Sequence, residues 1–151
     1  MSILSWGKPK IEVVVTTTGA IPTTPTWVVF PVVKENTAKL TTTKGNKTEA
    51  TGEGGETVDV RYQKNKFAFE CEVFVKKGDS KPIVDADGLI TANYCCRLTP
   101  EDDTLEGWIM ENTSVSCEES WTSADGKMWK YTFEGLKPAT GNILKPYTKV
   151  A

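Results

Sequence analysis

The chain has 151 residues, 38% hydrophobic and 25% charged, with a formal net charge of −2; that balance describes one folded domain and leaves too little chain for a second core. Near-neutrality argues against duplex binding driven by phosphate neutralisation, although a local basic patch stays compatible with it. Histidine is absent, which removes the commonest general base and the commonest zinc ligand together.

At the N-terminus, MSILSWGKPKIEVVV places Lys8, Pro9, Lys10 and Glu12 where a signal peptide needs an apolar core, so export by such a peptide is not expected. No apolar run reaches the roughly 18 residues of a spanning helix. Lys10 to Thr17, KIEVVVTT, is rich in β-branched residues and reads as a first strand. TTGAIPTTPT, with two prolines and a glycine, is a surface connection. Trp27 to Val33, WVVFPVV, is strand-like, but Pro31 lacks a ladder donor and puts it at an edge, a bulge or a strand end. A free edge is where another copy can add.

Asn36 to Thr43 reads as a short polar strand, and Thr57 to Tyr62 alternates with Val58 and Val60 on one side. Paired, the two make a long-looped hairpin. Between them runs an arm, about 43–57, that contains Lys44, Gly45, Asn46, Lys47, Glu49, Gly52, Glu53, Gly54, Gly55 and Glu56. A structureless connection of that length inside a compact domain is usually functional or disordered. It reads either as a loose surface loop or as a flexible arm that becomes ordered across a neighbouring molecule.

The longest alternating run follows. Phe67, Phe69, Cys71, Val73 and Val75 fall on one face, while Glu70 and Glu72 point the other way. KKGDSKP is a turn and linker, and Asp85-Ala86-Asp87-Gly88 is a second turn. With Asp79 these aspartates resemble fragments of a calcium site, but the later bidentate glutamate is missing, so a plain turn and no metal are expected. Leu89 to Leu98 continues as a strand, with Ile90, Ala92, Tyr94, Cys96 and Leu98 on its apolar face. Thr99-Pro100-Glu101-Asp102-Asp103 has the cap, proline and acids of a helix start, which predicts one short helix ended by Gly107.

Trp108 to Cys117, continuing to Trp121, reads as a strand. It is followed by the turn Ser123-Ala124-Asp125-Gly126 and by Lys127 to Phe133, a hairpin signal. Trp129, Tyr131 and Phe133 share the face expected to pack the core. From Pro138 a tail, about 138–151, is expected to lie along the surface or reach a partner. The four cysteines, Cys71, Cys95, Cys96 and Cys117, are expected as free buried thiols. Cys95 and Cys96 point to opposite faces of a strand, which does not suit joint chelation.

Catalysis has little to work with. Ser80-Lys81 is a turn, Lys76-Lys77-Gly78 lacks P-loop spacing, and the glycines of GEGGE sit among Glu49, Glu53 and Glu56, which repel phosphate. Glu70 and Glu72 share a strand face as two carboxylates, an arrangement most often simply solvated. No enzyme, catalytic residue or cofactor is expected.

The expected fold is mostly β, a β-sandwich or partly closed β-barrel in a single domain over 1–151, with one short helix and a long glycine-rich loop. The runs EATGEGGETVDVRYQKNKFAFECEVFVKKG, DADGLITANY, RLTPED and SADGKMWKYTFEGLKP, spread over roughly Glu49 to Pro138, resemble the tail-tube proteins of long-tailed phages and related contractile systems. They are similar in particular to phage or prophage structural proteins of the Bacteroidetes. The resemblance implies a hexameric ring stacked into a tube, with sheets lining the lumen and the long loop touching the adjacent ring. Its implied partners are copies of the chain and other tail proteins, with DNA passing through the lumen without specific binding and no membrane. Its implied place is the virion tail, made in the bacterial cytoplasm. Glu70 and Glu72 then suit the lumen face. The alternative, from another class, is a binding module of sandwich type that engages carbohydrate or a cell-surface partner through Trp108, Trp121 or Trp129.

Overall fold

A computed structural model of the chain describes residues 3–149. Its strands are β1 (Lys10–Val15), β2 (Val28–Val29), β3 (Lys39–Thr43), β4 (Lys47–Thr51), β5 (Thr57–Tyr62), β6 (Lys66–Phe74), β7 (Tyr94–Thr99), β8 (Gly107–Thr122), β9 (Gly126–Gly135) and β10 (Lys145–Tyr147). The protein is mostly β. One large sheet runs β2-β1-β7-β8-β9-β6-β3 with β10 beside β8, while β4 and β5 make a separate two-stranded sheet.

Alternation puts the core on one face of the large sheet. Ile11 and Val13 of β1, Cys96 of β7, Val115 and Cys117 of β8, Trp129, Tyr131 and Phe133 of β9, and Phe69, Cys71 and Val73 of β6 are all buried there. Two irregular segments cover this face. Phe30 packs on Tyr131 and Phe133 with ring centres 5.2 and 5.8 Å apart. Ile83 is fully buried, and its carbonyl accepts a 2.7 Å hydrogen bond from the Tyr131 hydroxyl.

The expected strand over Trp27 to Val33 is broken, because the segment changes partners midway. Val28 and Val29 pair with β1, Phe30 N–H donates to Ile11 C=O at 2.9 Å, and then Phe74 N–H donates to Val32 C=O at 3.0 Å. Pro31 lies where the partner switches from β1 to β6, the place where a missing donor does least harm. This crossing ties the two ends of the sheet together, but the sheet is not closed into a barrel: β1 and β6 never pair with each other.

Strand β8 also changes step. Met110 faces Cys96, yet Thr113 faces Tyr94, so an irregularity around Asn112 resets the alternation and returns Thr113, Val115 and Cys117 to the core side. Gly126, at φ 74°, closes the β8–β9 hairpin beside Asp125.

Two expectations are corrected. No helix occurs among the described residues; Thr99 ends β7, and the Asp102 carboxylate accepts from Thr104 N–H at 3.1 Å and Thr104 Oγ1 at 2.6 Å, holding one turn only. Gly107 already belongs to β8, where a Cβ would overlap the Leu98 carbonyl, so the chain must rejoin the ladder before a helix can nucleate. The strand expected over Leu89 to Leu98 is limited to Tyr94 onward. Its first part is spent on a tight turn in which Ala86 and Leu89 exchange backbone hydrogen bonds of 2.9 and 3.0 Å.

Candidate functional site: a projecting β-ribbon

The arm is built, and differently from the expected hairpin. Asn36 to Thr43 does not pair with Thr57 to Tyr62; β3 pairs with β6, and β4 with β5. The register is continuous across the two ladders. From Thr43↔Lys66 to Lys47↔Tyr62 each strand advances by the same number of residues, so β3–β4 and β5–β6 are the two sides of one long ribbon, which has a β3–β6 leg and a β4–β5 leg. The leg that carries β3 and β6 lies in the large sheet. The leg that carries β4 and β5 has no strand partner but itself.

A break at 44–46 and 63–65 separates the legs. Gln63 N–H donates to Asn46 C=O at 2.9 Å, and Gly45 N–H donates to Asn65 Oδ1 at 3.0 Å. Gly45 presses so closely on Gln63 that a Cβ would overlap its carbonyl, which is why only glycine fits this corner. At the far end Gly54 and Gly55, both at φ 89°, turn the chain, and Gly52 N–H bonds Glu56 C=O at 2.8 Å. At about 3.3 Å per residue, the stretch from Thr43 to Thr51 carries the tip about 25 Å beyond the sheet.

The ribbon is almost wholly in water. Val58 is 74% and Tyr62 57% exposed, on the same face as Val60 and Glu49. Charge is divided along its length. Glu49, Glu53, Glu56 and Asp59 lie toward the tip, while Lys44, Arg61, Lys64 and Lys66 lie toward the base. Lys47 forms an ion pair with Glu49, and Lys44 sits 5.5 Å from the Tyr62 ring centre.

Glu70 and Glu72 lie on the sheet face opposite the core, both half-buried. They do not form an isolated acidic pair. Lys130 of β9 stands opposite Glu72 and 3.7 Å from Glu70, and Lys39 of β3 stands opposite Glu70. Glu118 and Glu134 extend the same face, and Lys66 of β6 also lies on it, so acids and cations are interleaved there.

The three tryptophans named for the binding alternative do not form one surface. Trp129 is buried and donates from Nε1 to Glu119 at 2.9 Å, a bond that with Lys127 holds the Glu119 carboxyl below its ordinary range. Trp108 packs edge-on against Phe69 at 4.8 Å. Only Trp121 stands out, at 71% exposed.

The four cysteines are free and buried. Burial, with Glu70 and Glu72 nearby, pushes the Cys71 thiol up to about 12; burial beside Glu111 pushes Cys95 to about 12 as well. Cys96 lies in the core, with Cys95 on the opposite side of β7. Asp79 and Asp85 are spent on turns: Asp79 accepts from Lys76 N–H at 2.9 Å, and Asp85 accepts from Lys81 Nζ at 2.6 Å and Gly88 N–H at 2.7 Å. The tail 138–149 lies on its own body, where β10 pairs with the start of β8 and Ile143 and Leu144 pack against the core; the end of the expected tail lies outside the described residues.

Sequence reasoning passed over one cluster, on the face of the sheet opposite the core. Arg97 of β7 reaches Glu12 of β1 through Nε and Nη2, both at 3.2 Å, and its guanidinium lies between the rings of Trp27 (3.8 Å) and Tyr147 (5.1 Å). The available signal was a charge set among the buried residues of each strand, Glu12 in KIEVVV and Arg97 in YCCRLT.

Comparison with protein-family models and with curated proteins gives no match. Fold and site therefore define a mostly-β protein that projects a two-stranded ribbon from one side of a large antiparallel sheet.

Proposed function

We propose that the chain is a self-assembling structural protein, a ring-forming subunit of a phage tail tube or a related contractile injection tube. The observation that carries this reading is the ribbon. The charged segments Lys47–Thr51 and Thr57–Tyr62 are not left as a loop but are drawn out as a ladder in register with the sheet, with no core behind either face. A two-stranded ribbon in water has little to stabilise it alone, so a neighbour that covers it accounts for its form.

Sheet edges support the same reading. β3 ends the large sheet on one side with an unpaired polar edge, where a second copy can continue the ladder. The face that carries Glu70, Glu72, Glu118 and Glu134 against Lys39 and Lys130 would line the lumen. With its lysines set against glutamates, such a face offers DNA no net positive charge to be held by. Copies of the chain and other tail proteins are the partners of this reading, and the virion tail is its place.

Negative-stain microscopy with light scattering across a concentration series tests it. Rings or tubes are the expected products; a protein that stays monomeric at high concentration refutes it. Deleting 47–62 removes both strands of the ribbon at once and should leave a folded monomer that no longer stacks. Reversing Glu70 and Glu72 to lysine should make assembled tubes retain DNA, and tubes that still release it would remove those residues from the channel.

A further inference from the structure

Two sets of charge that take part in no ion pair stand at opposite ends of the ribbon. Among the described residues neither Glu53 nor Glu56 at the ribbon tip takes part in an ion pair, and the same holds for Lys64 and Lys137 near the ribbon base. The lysines border a groove of about 540 Å³ whose floor is Phe67, Ile143 and Leu144, and no acid lines it. Pro138 also lines it. The tip is acidic, narrow and partly apolar: two glycines in the turn carry no side chain, and Val58 stands 74% exposed beside Glu56. Groove and tip are thus opposite in sign, with apolar groove residues to receive an exposed valine.

They cannot meet within one chain. The groove contains Gln63, Lys64 and Asn65, the start of the same ribbon, and the tip stands about 25 Å away along a paired ladder.

We propose that the Glu53–Glu56 tip of one copy docks in the Lys64/Lys137 groove of the next, a head-to-tail contact that repeats along a stack of copies. This rests on the self-assembly reading and assigns its receiving surface. A head-to-tail contact uses two different patches, so it does not close on a pair of molecules and sets a polarity. Two facing charge pairs on a water-accessible rim are each of modest strength, and reversing one side turns attraction into repulsion. The contact is therefore salt-sensitive, since surface charges are screened beyond about 8–10 Å at physiological ionic strength.

The test is a charge swap read by sedimentation of the full chain. Glu53→Lys/Glu56→Lys and Lys64→Glu/Lys137→Glu should each shift the concentration for half-assembly upward by roughly tenfold or more. Carrying all four substitutions, or mixing the two variants, should restore assembly; two reversals that each impair assembly without mutual rescue overturn the pairing. A second measurement does not depend on charge. A Glu53→Cys copy mixed with an Asn142→Cys copy should form a disulfide between different molecules under oxidation, while two Glu53→Cys copies should not. If the parent chain assembles and every variant assembles equally well without cross-linking, the groove is not the receiver and the self-assembly reading stands. If the parent chain never assembles, both fall.

Discussion

Replacing Arg97 by methionine tests how the second face of the sheet is held. Methionine keeps a long apolar stem between the Trp27 and Tyr147 rings but removes the charge and the fork of donors. Glu12, only 7% exposed, then loses both 3.2 Å hydrogen bonds and keeps Lys10 at 4.0 Å. Removing one partner of a buried pair costs about 3–5 kcal/mol, because a charge stays buried without compensation. The Arg97 side chain is 20% exposed, which admits water and puts the expected loss near the lower end, about 3 kcal/mol.

Removing both partners should cost far less, since an apolar pair of similar volume needs no solvation. Glu12→Leu with Arg97→Met is therefore expected to recover about 2 kcal/mol relative to the sum of the single changes. Urea unfolding with an unchanged m-value measures each term. The reasoning is refuted if Arg97→Met costs under about 1 kcal/mol, or if the two changes simply add.

Three further outcomes follow from single contacts. Gly45→Ala drives a Cβ into the Gln63 carbonyl, so the ribbon must swing; the unfolding midpoint of the body should move little while assembly is lost, and unchanged assembly would show that the corner does not set the ribbon's direction. Tyr131→Phe strips the buried Ile83 carbonyl of its donor; it should cost about 1–2 kcal/mol and speed hydrogen exchange around residue 83, and unaltered exchange there would contradict the tie. The Asp85 carboxyl is held below its ordinary value of 3.8, first by the hydrogen bond from Lys81 and then by Gly88 N–H. Because its folded-state value is depressed, its stabilisation is present above that pH and lost as the pH falls through the lower one, so the advantage of the parent over Asp85→Asn should vanish in acid; a difference that grows toward low pH has the wrong sign.

What could be read from the sequence was decided by burial. β6 was legible residue by residue because one of its faces lies on the core and the other does not, which writes a period of two into FAFECEV. β9 was legible for the same reason. β4 was not, since KTEAT has both faces in water and nothing selects apolar residues at alternate positions. Its pairing is dictated from outside, by the ladder of β3 and β6. The cap signature at Thr99 to Asp103 was real as a turn and misleading as a helix, because local caps stabilise one turn as readily as several. Pro31 correctly marked an interrupted strand, but not that its segment would cross from one end of the sheet to the other. The Arg97 cluster depended on Trp27 and Tyr147, residues far from it in sequence.

The shared register has an energetic consequence for the two legs of the ribbon. On the β3–β6 leg, hydrogen bonds come with burial: Phe69 is fully buried and Leu40 packs against the core. On the β4–β5 leg the hydrogen bonds are the same in kind, but each exchanges a bond to water for a bond to protein with almost no apolar area removed, so the net gain per residue is small against about 1–2 kcal/mol of backbone entropy. Continuity with the first leg fixes the register without supplying that deficit. Amides of 47–62 should therefore exchange far faster than those of β6 and β9 in the isolated chain, and slow to sheet-like rates only when another surface covers the ribbon. Measured by hydrogen exchange on monomer and assembled fractions, protection confined to the assembled form is the expected result. Equal protection in both would mean that the ribbon is self-sufficient, and its shape would no longer argue for a partner.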